Sequence, residues 1–153
     1  MTLARHDARQ VVLQLLYQED LNPEVGEQAV AQFLRKRLGG HPGLSVFALS
    51  LLDGVRAHRE ELDAVLDSKA TNWSVKRMAF VDRNILRLAA YELLYEDTPG
   101  QVVINEAVDL AKQFGDKQTP AFVNGILDRV LRERTPRAPQ AVEEGGLGPA
   151  EDG

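Results

Sequence analysis

Residues 81–95, VDRNILRLAAYELLY, constrain the fold more than any other stretch of this chain. Ile85, Leu86, Leu88, Ala89, Leu93 and Leu94 spread over most of a helical circumference instead of following one stripe. A helix that is apolar nearly all round needs neighbours on every side, so this segment predicts the centre of a bundle. The segments available to surround it also read as helix. None shows sustained apolar–polar alternation with β-branched enrichment, and an all-α protein of about seven helices is expected.

Before the central segment, a first helix is predicted over about 4–20, ended by Asn22-Pro23. A second covers about 24–38, with Val25, Ala29, Phe33 and Leu38 recurring before Gly39-Gly40. After His41-Pro42-Gly43 a third runs to Ala57 on Val46, Leu49, Leu52 and Val55, and a shorter one carries Leu62, Val65 and Leu66. Asn72, Trp73 and Ser74 read as a connection, with Ser74 as a cap and Trp73, the one tryptophan, as a core plug.

Thr98-Pro99-Gly100 ends the central helix. Val103, Ala107, Leu110, Ala111 and Phe114 then recur at spacings of three and four, with Gly115 as the stop. Thr119 before Pro120 suits the start of a last helix, whose core stripe is Val123, Ile126, Leu127, Val130 and Leu131. Gly125 lies inside that helix and predicts a close helix approach. Residues 1–135 thus form the folded domain, and 136–153, rich in Pro, Gly, Ala and Glu, are expected to be a disordered acidic tail.

Composition removes several classes of function. Without cysteine there is neither a disulfide framework nor a thiolate metal site, and His6, His41 and His58 lack ligand spacing. No nucleophile constellation or glycine-rich phosphate loop is present, so neither an enzyme nor a cofactor is expected. No stretch approaches the roughly 18 apolar residues of a membrane span, which predicts a soluble, cytoplasmic protein. The formal net charge of −5 is concentrated beyond residue 134, where four acids face one base. The first 134 residues carry 17 bases against 19 acids, leaving room for a local basic patch.

Function must therefore be read from surfaces. The first helix has a core stripe of Ala4, Ala8, Val11, Val12 and Leu15, and a second one of His6, Arg9, Leu13 and Tyr17 with Arg5 on its border. Three readings fit the second stripe: packing against a neighbouring helix, an aromatic and basic face for single-stranded nucleic acid, or a face for a protein partner. Glu92, inside the apolar helix, is expected to be a buried carboxylate paired with an arginine such as Arg87 or Arg129, or to snorkel to solvent. Asn105 and Glu106 are expected to fix helix contacts.

Three segments carry a family resemblance. ARHDARQVVLQLLYQED resembles the amino-terminal helix of the NusB family of bacterial transcription antitermination factors. VDRNILRLAAYELLYEDTP, followed by VVINEAVDLAKQFG and FVNGILDRVL, resembles its carboxyl half. The resemblance implies an all-helical fold of two small bundles, about 1–70 and 71–135. It implies binding of single-stranded boxA RNA in nascent ribosomal RNA, together with the ribosomal protein known in this role as NusE, within an elongation complex containing other Nus factors. By position, the RNA surface would comprise Arg5, His6, Arg9 and Tyr17 with Lys112, Phe114, Gln118 and Phe122. The NusE surface would lie near Met78, Val81, Asp82 and Arg83. His6 and Asp7 depart from an arginine-richer family motif, and Gln118 stands where the family often has an acid. The alternatives are a structural homodimer, or an RNA-binding accessory to a ribosomal RNA methyltransferase.

Overall fold

A computed structural model describes residues 3–24 and 26–134. In chain order it contains α1 (Arg5–Leu21), α2 (Glu27–Leu38), α3 (Pro42–Ala57), α4 (Arg59–Lys69), a 3-10 turn (Val75–Arg77), α5 (Phe80–Tyr95), α6 (Gly100–Phe114) and α7 (Thr119–Glu133). No strand occurs among the described residues, so the expected all-α class of seven helices holds. Val25 and the expected tail at 136–153 lie outside the described residues.

The central position of α5 follows from its composition. Ten consecutive residues, from Asn84 to Leu93, are buried. Five helices, α1, α3, α4, α6 and α7, pack on α5. Burying one leucine or isoleucine contributes about 1.5–3 kcal/mol, and Ile85, Leu86 and Leu93 are fully enclosed. The approach of α3 depends on Gly54, since a Cβ there would lie 2.1 Å from Cζ of Tyr91.

Local signals set the helix ends. The Asp7 carboxylate reaches back to accept the Ala4 N–H at 2.7 Å, satisfying a donor that α1 would otherwise leave open. Pro42 sits in the first turn of α3. At the α6–α7 junction, a Cβ on Gly115 would lie 2.5 Å from Cβ of Thr119, so glycine lets the two helices join through a short loop.

Several sequence expectations are corrected. In α3 the buried side is Ala48, Leu51, Leu52 and Val55, whereas Val46 is 69% and Leu49 40% exposed. LSVFALSLL holds two apolar stripes at helical spacing, and α5 contacts only one of them. In α2 the buried stripe is Val30, Leu34 and Leu38; Ala29 is exposed and Phe33 half-buried. Trp73 is 53% exposed and plugs nothing. Asp67 accepts the Val75 N–H at 2.7 Å, and Val75 and Met78 enter the core instead. Ser74 precedes the 3-10 turn without a side-chain capping bond.

Gly125 is corrected too, because a Cβ there would meet nothing within 4 Å. A helical glycine with open space costs about 0.5–1 kcal/mol relative to alanine. Gly125→Ala is therefore expected to raise stability by about that amount in urea unfolding. A loss of stability would mean that the position is crowded after all.

Candidate nucleic-acid interface

The second stripe of α1 turns toward other helices more than toward solvent. Arg9 is only 5% exposed, and its Nε and Nη2 donate to the two carboxylate oxygens of Glu92, both at 2.8 Å. This corrects two expectations: Arg9 is no exposed phosphate contact, and the buried Glu92 is paired with Arg9 rather than Arg87 or Arg129. Sequence spacing could not supply the pairing, because the partners lie 83 residues apart.

His6 is drawn into a seam with α6. Its Nδ1 lies 2.8 Å from Oε1 of Glu106, and Gln10 donates to Oε1 of Gln113 at 2.7 Å. Glu106 thus fixes helix contacts, as expected. Arg5 stays exposed, its guanidinium 4.3 Å from the centre of the Phe47 ring. Such a cation over an aromatic face is held in place while its donors remain open to a ligand.

Leu13 and Tyr17 reach a groove of about 480 Å³ between α1, α2 and the end of α6. Phe114 lines the same groove, as does Val81 at the start of α5. Tyr17 is about one-third exposed and meets Phe80 edge-on, with centroids 6.3 Å apart. The fold therefore brings the end of α6 beside the first helix.

The other residues expected on the last hairpin lie elsewhere. Gln118 and Phe122 line a second hollow of about 300 Å³ with Met78, Asp82, Trp73 and Arg77. Lys112 borders a third depression, on the outer side of α6 and α7, with Asn105, Pro120 and Asn124. Phe114 and Phe122 consequently serve different hollows. In the first two hollows residues expected to contact RNA sit beside residues expected to contact a protein partner, Tyr17 and Phe114 with Val81, and Gln118 and Phe122 with Met78 and Asp82.

Arg83 is engaged within the fold. Its Nε donates to Oδ2 of Asp20 at 2.9 Å, and Asn84 donates to the same oxygen at 2.6 Å. Arg87 approaches it at 3.4 Å, and Arg59 donates to Oδ1 at 3.0 Å. Arg87 also makes a two-pronged contact with Asp63, at 2.7 and 3.0 Å. This network ties α1, α4 and α5 together; its members are common charged residues on three separate helices, and nothing in their spacing announces it.

Asp82 is in the opposite situation. Burial pushes its pKa up and the nearby charge of Asp116 adds to this, while the hydrogen bond from the Thr119 hydroxyl, at 3.1 Å, opposes them. A carboxyl whose pKa is raised on folding opposes stability once the pH exceeds both its unfolded and folded values. Asp82→Asn, which keeps an acceptor for Thr119, should therefore raise the melting temperature at pH 7, and the gain should vanish as the pH falls below about 4, near the unperturbed value. A drop at pH 7 would show that the charge is compensated.

Among the described residues, no group of three or more His, Asp or Glu side chains could hold a metal ion, and no helix is long and apolar enough to cross a membrane. The three hollows offer rings, amides and a few cations, with the carboxylates of Asp82 and Asp116 in the second and of Asp109 in the third.

Comparison with known proteins gives these surfaces a context. Residues 6–132 match the model of the NusB family. The transcription antitermination protein NusB of Anaeromyxobacter sp. (strain Fw109-5) is 43% identical over 143 residues, spanning 90% of this chain and 100% of that protein. Among solved structures, T. maritima NusB aligns with a TM-score of 0.81 at 34% identity, over 89% of this chain and 96% of that one. A crystal structure of antitermination factors NusB and NusE in complex with dsRNA aligns with a TM-score of 0.76 at 28% identity, over 84% of this chain and 96% of that one.

Proposed function

This chain belongs to the NusB family, and on that footing we propose that it is a non-enzymatic transcription antitermination factor that binds RNA together with a NusE-type ribosomal protein. The observation that carries the proposal is its similarity to the NusB chain of a solved NusB–NusE complex with RNA, over most of its length. The RNA is the boxA element of nascent ribosomal RNA, bound in the cytoplasm within an elongation complex containing other Nus factors.

The exposed rings of Tyr17 and Phe114 and the half-buried ring of Phe122 support contacts to bases, since unpaired bases stack on aromatic side chains. Arg5 and Lys112 are exposed and suit phosphate, and Gln118 can bond a base edge. NusE would reach the surface through Val81 and Asp82; Met78, expected on this surface, is only 6% exposed and packs into the core beneath it. The aligned complex holds double-stranded RNA, whereas stacking on rings favours single strands, so both forms belong in the test.

The experiment is a titration of labelled boxA-like single strand, scrambled strand and duplex, each with and without NusE. Preferential binding of the boxA strand, tightened by NusE, is expected. Replacing Phe122 by alanine should weaken it about tenfold, within the 1–3 kcal/mol typical of a stacked base. Equal weak binding to every RNA, indifferent to NusE, would sink the proposal.

A further inference from the structure

The groove between α1, α2 and the end of α6 is larger than its two expected RNA residues require. Phe33 supplies a third ring beside Tyr17 and Phe114, and Leu13 and Leu21 complete an apolar wall. Leu21 is 59% exposed, a large apolar surface left uncovered at the rim. About 480 Å³ lies within the ~300–1,000 Å³ usual for small-ligand sites. The polar groups at the wall are Gln14, Gln18 and Arg37, and no carboxylate lines it.

Arg37 connects this wall to a run of charge. Its Nη1 donates to Oε1 of Gln14 at 2.7 Å across the α1–α2 gap, and its guanidinium lies 5.4 Å from the Phe33 ring centre. Arg35 and Lys36 stand next to it, so the last turn of α2 carries three consecutive exposed cations. Rings to stack on, amides for base edges and adjoining cations for phosphate are the combination that single-stranded nucleic acid requires.

We infer that this groove holds an unpaired nucleotide, with its base against Tyr17, Phe33 and Phe114 and the neighbouring phosphates on Arg35, Lys36 and Arg37. The inference rests on the RNA-binding reading above and adds to it a site on α2. A second copy of the chain fits the groove less well. A two-fold pairing centred here would bring the same patch of both copies together, setting one cationic turn near the other. A polyanion neutralises the three charges instead.

The test uses the whole protein, a single-stranded boxA-like RNA and a version carrying 2-aminopurine. The variant R35Q/K36Q/R37Q changes exposed side chains and leaves the core untouched. It should weaken binding tenfold or more at 0.1 M salt. Its plot of log affinity against log salt should become shallower by about 2, at roughly 0.7 per phosphate contact on a single strand. Phe33→Leu keeps an apolar wall but removes a ring, and should diminish the fluorescence change of the 2-aminopurine strand on binding. Phe122→Ala, at the other hollow, is the comparator. If Phe122→Ala weakens binding while the triple variant binds as the unaltered protein does, the groove inference is overturned and the RNA function stands. If the unaltered protein binds no strand, the RNA reading falls and takes the groove with it. Unchanged RNA binding, with self-association lost in Phe33→Leu, would assign the groove to a second copy and overturn the inference.

Discussion

Replacing Arg9 by alanine is expected to destabilise the protein by about 3–5 kcal/mol, the usual cost of removing one partner from a buried ion pair. Glu92 would be left with its side chain 2% exposed and without the guanidinium that holds both its oxygens. Against a total stability of about 5–15 kcal/mol, such a loss places the variant near its unfolding threshold. Urea unfolding measures it directly. The double variant Arg9→Met with Glu92→Met should recover most of the loss, because a well-packed apolar pair can replace a buried ionic one. RNA affinity supplies the second readout. Under conditions where Arg9→Ala remains folded, its affinity should approach that of the unaltered protein. Native stability combined with lost RNA binding would show that the guanidinium serves a ligand.

Removing Asp20 should be nearly as costly. Burial pushes its carboxyl pKa up, but hydrogen bonds from Arg83 and Asn84, with the charges of Arg83 and Arg87, outweigh this and hold it below the usual carboxylate range. Asp20→Ala leaves Arg83 without its carboxylate partner and removes one of Arg87's two, the Asp63 pair remaining, and a loss of about 3 kcal/mol is expected. The pH dependence has a definite sign. A carboxylate with a depressed folded-state pKa contributes its full stability above its unfolded value, about 3.9 for aspartate, and loses it as the pH falls through the lower folded value. The unaltered protein should therefore weaken on acidification below about pH 4 more steeply than Asp20→Ala. Parallel acid limbs would mean that Asp20 titrates alike in both states.

Helix number and type were legible because they rest on local periodicity. α5 could be placed at the centre because its apolar residues leave no polar side wide enough to face water. Where apolar residues cover a wide arc of a helix, periodicity cannot fix which edge is buried: in α3 the expected Leu52 and Val55 are buried, but Val46 and Leu49 are exposed while Ala48 and Leu51 take their place in the core. The same limit applied to charge. Arg9 reads like any surface arginine until Glu92 arrives from a helix 83 residues away. The candidate interface was legible by residue type at Tyr17, Phe114 and Phe122, whereas their division between two hollows depends on how the short α6–α7 loop turns. Arg35, Lys36 and Arg37 were visible as a run all along. Only the fold shows that Arg37 lines a groove with three rings.

The encirclement of α5 also bears on how the chain acquires its structure during synthesis. Helices α1 to α4 emerge from the ribosome first, yet the helix on which α1, α3 and α4 all close arrives only once Tyr95 has cleared. Until then the nascent chain presents greasy faces with nothing to shield them, the condition under which partly made proteins depend on chaperones. After α5 arrives, none of α1, α3, α4, α6 and α7 can leave without uncovering it, so these helices and α5 should lose structure together in one event.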